Sequence, residues 1–144
     1  MWHNIQSEVD IESLMKIFGD FHDSCLKELV YISGAFVDEN LSMHPINEQR
    51  VLKIVFQRQY SNPCVIEVEF SGIKKMNLSP CDENHTCEIH GATFFIKNSN
   101  LYWGDSSDIQ EMSSYDGTWI CASGTRWRIA DEYLGNQEIY KPIK

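Results

Sequence analysis

No uninterrupted apolar run in this chain exceeds four residues, and Leu29-Val30-Tyr31-Ile32 is one of the longest. A helix that crosses a membrane needs about 20, so the runs exclude a helical membrane protein. The first residues, Met1-Trp2-His3-Asn4-Ile5-Gln6, lack the basic cluster and apolar stretch of a secretory signal. Basic residues are scarce: twelve Lys and Arg face 21 Asp and Glu, for a net charge of −9. An acidic surface repels nucleic-acid phosphates and anionic lipid, which turns the expectation toward a basic protein partner, with no nucleic acid and no membrane. A phosphate-binding glycine loop, a dinucleotide fingerprint, a Gly-x-Ser-x-Gly elbow and an EF-hand spacing are all missing. No cofactor is implied. The five cysteines cannot all pair, and reduced thiols in a cytoplasmic protein are the simplest account of them.

The chain's 144 residues fit one domain, 1–144. With 42% apolar residues, including seven Phe, six Tyr and four Trp, core material is ample. Val9, Leu14, Ile17 and Phe18 recur near helical spacing after Glu8, Asp10 and Glu12, with Ser7 or Asp10 to cap the start and Gly19 to end it. After Phe21 the period changes. Strands are expected at 27–34, 51–58, 65–70, 73–78, 86–97, 101–103 and 119–129. The clearest hairpin joins Leu52, Ile54 and Phe56 to Ile66, Val68 and Phe70 across Ser61-Asn62-Pro63, and Asn98-Ser99-Asn100 reads as a second tight turn. Short strands with short polar turns imply antiparallel pairing. The expected fold is α+β, mainly β: an antiparallel curved sheet or sandwich with one N-terminal helix packed on it. Residues 38–48 read as a polar loop and 135–144 as a loose tail.

Four stretches hold residue types that carry chemistry. Cys81-Asp82-Glu83-Asn84-His85-Thr86-Cys87-Glu88-Ile89-His90 contains zinc-type ligands, but not the paired C-x-x-C spacing of a zinc finger. A polar turn with Cys87 and Ile89 buried fits it better. Phe21-His22-Asp23-Ser24-Cys25 has the members of a nucleophile set, yet sequence neighbours rarely face one another as a triad must. His22 and Asp23 are expected instead to satisfy backbone groups. Arg126-Trp127-Arg128 alternates base and aromatic, which on a strand places both arginines on one face and Trp127 in the core. The fourth stretch, 98–125, has no Lys or Arg and four acids. Its Asp105, Asp108, Glu111 and Asp116, with Tyr102, Trp103 and Tyr115, form the expected partner-binding surface, where charge steers and aromatics anchor. No catalytic residue is assigned and no metal is expected.

Trp2, the short helix, Phe21-His22-Asp23-Ser24-Cys25-Leu26, and Val68-Glu69-Phe70 before Gly72-Ile73 resemble features of small uncharacterised bacterial proteins. Those are similar in layout to immunity proteins of polymorphic toxin systems. The resemblance implies toxin neutralisation and carries over no functional residue. The expected function is therefore non-enzymatic protein binding, with a small hydrolase or metal-dependent enzyme using His22, Cys25 or the Cys81–His90 cluster as the alternative.

Overall fold

The computed structural model describes residues 1–142. A short strand, β1 (His3–Ile5), leads into helix α1 (Glu8–Ile17), which begins where polar caps and apolar spacing coincide. Ser7 is the cap: its hydroxyl accepts the Asp10 amide while the Asp10 carboxylate accepts the Ser7 amide, a reciprocal capping box. Gly19 follows the last turn at φ +59°, and a Cβ there would lie 2.8 Å from an Arg58 guanidinium nitrogen. Both the backbone angle and that close approach favour glycine at this C′ position.

Seven strands build one antiparallel sheet. They are β1, β2 (Ser24–Ile32), β5 (Val51–Arg58), β6 (Val65–Asn77), β7 (Thr93–Lys97), β8 (Asn100–Gly104) and β9 (Trp119–Ile129). The order is β2-β5-β6-β9-β8-β7, with β1 pairing the second half of β9. A separate two-stranded hairpin, β3 (Phe36–Val37) and β4 (Met43–His44), lies between β2 and β5. The fold is thus α+β, mainly β, with one helix on an open antiparallel sheet.

The expected β5–β6 hairpin is present, in the register Leu52↔Phe70, Ile54↔Val68 and Phe56↔Ile66. Alternation sends these six side chains to one face, where they meet Ile11 and Leu14 of the helix, Phe18, Phe21, Trp103 and Trp127. Asn98 and Ser99 both adopt positive φ in the two-residue turn between β7 and β8, the conformation that suits strand twist.

Several expectations need correction. The two runs at 65–70 and 73–78 are one strand, because β9 pairs with β6 on both sides of Gly72. A register shift between Ile73 and Lys75 absorbs the irregularity. Only 93–97 of the expected strand 86–97 is extended in a ladder. The polar residues before it form a loop that touches the sheet through the single bridge Ser24↔Ile89. Within the expected loop 38–48, Met43 and His44 pair with Phe36 and Val37. The tail is not loose as far as Tyr140. It crosses the sheet's outer face, where Ile139 and Tyr140 pack with Val55, Val65, Ala130 and Tyr133.

Candidate functional site

Strand β8 and the loop that follows it carry all seven residues expected to meet a partner. Alternation along β8 points Tyr102 to the outer face and Trp103 to the core, where it is 1% exposed. Trp103 is therefore removed from the candidate surface: its ring packs against Phe21 and Phe56. On the outer face Tyr102 stacks on Phe95, with ring centroids 5.0 Å apart. The loop 105–118 folds over this face by burying Met112, which joins Trp119 and Cys121 in a small outer core flanked by Ile109 and Tyr115. Thr93 holds the loop down: its hydroxyl donates to the Ser106 carbonyl at 2.6 Å and accepts the Ile109 amide at 3.1 Å.

Tyr115 and Asp105 are brought together, the phenol donating to the carboxylate. Burial, then the Asp105 carboxylate, pushes the Tyr115 phenol up to about 12. Asp105 is thus part of the loop's own fastening. Asp108, Glu111 and Asp116 are exposed, and none joins an ion pair among the described residues. The structure therefore joins Tyr115 to Asp105, sets Tyr102 and Tyr115 against one outer cluster, leaves the other three acids exposed along the same loop, and excludes Trp103.

The Phe21–Cys25 stretch is a tie between the sheet and the loop before β7. Asp20, Phe21 and Asp23 all have positive φ, a strained run for residues other than glycine. Surrounding bonds hold it in place. The Ser24 hydroxyl donates to the Phe21 carbonyl at 2.5 Å, and Ala92 and Ile89 amides donate to the Asp20 and Ser24 carbonyls. His22 Nδ1 lies 2.8 Å from the His90 carbonyl, so the ring donates there. Burial, then nearby Cys87, pushes the Cys25 thiol up, away from the thiolate a nucleophile needs. Cys25, Cys87 and His85 line one open hollow of about 550 Å³ with Asp23 and Arg58. His85 Nδ1 is 2.6 Å from the Asp82 carboxylate, and of the two residues expected to be buried here only Ile89 is, since Cys87 is exposed like Cys81. Among the described residues no three His, Cys, Asp or Glu side chains are placed to share a metal ion.

Two features were not anticipated. The first is a row of ion pairs on the outer face. Arg126 meets Glu69 through two contacts of 3.1 and 3.2 Å, and Arg128 meets Glu67 at 2.8 Å and Glu132 at 2.9 Å. Trp2 lies over both arginines. Cross-strand register explains it, since Glu67↔Arg128 and Glu69↔Arg126 are direct neighbours. As expected, Trp127 takes the opposite, buried face.

The second is the β3–β4 hairpin, an arm that exposes Phe36, Val37, Leu41, Met43 and Ile46 by 53–86%. Five large apolar side chains inside an otherwise polar stretch were the signal in the sequence. Compared with protein families, curated proteins and solved structures, the chain matches none.

Proposed function

We propose that this chain is a non-enzymatic protein-binding domain of the cytoplasm, of the kind that neutralises a toxin, and that it takes a basic partner on the loop between β8 and β9. The observation that carries the reading is the exposure of Asp108, Glu111 and Asp116 without ion-pair partners among the described residues, beside the half-buried Tyr102 and Tyr115. Unpaired acids repel one another until a cationic surface neutralises them. Aromatic rings beside them supply anchoring area at small cost in conformational entropy. The resemblance at Trp2 and Phe21–Leu26 agrees with this reading, and the raised Cys25 thiol weighs against nucleophilic catalysis.

A pull-down from the native cell, followed by binding measurements with the purified partner, tests it. Reversing Asp108, Glu111 and Asp116 to Lys should slow association by about tenfold or more at low salt, and the wild-type rate should fall as salt rises. Asp105 is left intact because it fastens Tyr115. An association rate that neither the reversals nor salt alters sinks the reading.

A further inference from the structure

We propose that the β3–β4 arm is a self-association surface, and that its occupant is the exposed lysine-bearing end of β6 in a second copy of this chain. The arm is a preformed shape. The Asp38 carboxylate accepts the amides of Asn40 and Ser42 and meets His44 at 2.9 Å, and His44 stacks on Phe36 with centroids 4.5 Å apart. At its base, the amides of Gln49 and Arg50 both donate to the Ser33 carbonyl. Polar groups thus hold the arm's shape while its apolar groups stay in water.

The register Phe36↔His44 and Val37↔Met43 places Phe36 on one face and Val37 with Met43 on the other. Phe36 is 57% exposed, Met43 69%, and Leu41 near the turn 86%. A ribbon apolar on both faces needs cover on both. A lone two-stranded hairpin is also marginal in water, and contiguous exposed apolar surface of this kind marks an interaction site.

Charge selects the occupant. Between Lys27 and Arg50 the chain has acids, including Asp38, Glu39 and Glu48, and no Lys or Arg. The complement lies beside it on the same molecule. Strand β5 pairs with β6 only as far as Phe70, so Lys74–Asn77 have no strand on that edge among the described residues. Lys74 and Lys75 are exposed and join no ion pair among the described residues, and Leu78 just beyond them is 51% exposed.

Arg50 places this end of β6 next to the arm. Its carbonyl accepts the Ile73 amide at 3.0 Å and its guanidinium donates to the Ile73 carbonyl at 3.2 Å. A two-fold axis between the adjacent patches lets each arm meet the other copy's β6 end, with both contacts made at once. The net charge of −9 opposes approach at long range. Screening over about 8 Å at physiological ionic strength leaves the local complementarity in control.

Sedimentation velocity on the full chain from about 1 to about 200 μM decides the matter. The expected result is a concentration-dependent rise in mass toward twice the 16.7 kDa of one chain. Phe36→Ser with Met43→Ser should stay monomeric at every concentration, and at about 1 μM, where the wild type is monomeric too, the two should melt alike, because both side chains are more than half exposed. Glu39→Lys and Lys74→Glu should each weaken dimerisation by about tenfold, and the two together should restore it. A wild type that remains monomeric overturns the proposal and frees the arm for a different protein. An arm variant that dimerises like wild type also overturns it, as does a double charge swap without rescue.

Discussion

Truncating Phe70 to Ala removes a fully buried ring that faces Leu52 across the β5–β6 ladder. The loss should reach about 3–5 kcal/mol in urea unfolding, the cost of a large core cavity; a loss under about 1 kcal/mol would be surface behaviour and would contradict this packing. This face was legible because apolar and polar residues alternate strictly through Ile66–Phe70 and, but for Val55, through Leu52–Phe56. The same alternation separates Tyr102 from Trp103, but two adjacent aromatics do not say which one faces inward. Only the register with β9, Trp103↔Ile120, decides it. Tyr115 offers a second test. Its phenol holds its proton to about 12 when folded and to 10.0 when unfolded. Its contribution is therefore complete below pH 10 and is lost as pH rises toward 12. Stability measured across that range should fall less steeply in Tyr115→Phe. Equal slopes for the two proteins would mean that the Tyr115–Asp105 bond is not formed in solution.

At the level of elements, the tail shows how distance along the chain hides structure. Residues 135–140 are mostly polar, and nothing local holds them. Their fastening comes from Glu28, 111 residues before Ile139, whose carboxylate accepts the Ile139 and Tyr140 amides at 2.8 and 2.7 Å. Tyr140 then donates its phenol to Glu67 at 2.6 Å, and Lys27 donates to the Gln137 carbonyl. Burial pushes the Glu28 carboxyl up, but the two amides and Lys27 outweigh it and hold it below its usual value of 4.5. A depressed carboxyl contributes above the unfolded value and loses that contribution as pH falls through the folded one. The Ile139 and Tyr140 amide resonances should therefore shift together with a midpoint below pH 4.5. In Glu28→Gln that transition should vanish and the tail should be cut sooner by protease. A wild-type midpoint at or above 4.5 would show that Glu28 does not hold the tail. The helix was readable for the opposite reason: its N-cap Ser7 and its C′ glycine, Gly19, lie within two residues of its ends.

For the whole molecule, the five cysteines sort by depth in a way that a titration can follow. Cys81 and Cys87 are exposed on the loop before β7, Cys25 and Cys64 are half-buried, and Cys121 is buried against Trp119 and Met112. Reaction with a disulfide reagent needs both access and thiolate. Burial raises the Cys25 and Cys64 thiols, helped at Cys64 by a hydrogen bond to the Asp131 carboxylate, so these two combine poor access with a low thiolate fraction. At neutral pH the native protein, never exposed to reductant, should titrate in two steps: Cys81 and Cys87 at once, the other three on unfolding. The count after unfolding should be five, since all five are unpaired in the structure. If the loop before β7 opened freely from the sheet, breaking the Ser24–Ile89 bridge, Cys25 would join the fast group. A first step of three thiols, with the third label mapped to Cys25 by mass spectrometry, would thus show that the strained Phe21–Ser24 turn does not hold the loop closed. A final count of one would mean two disulfides, and the unpaired state described here would be wrong.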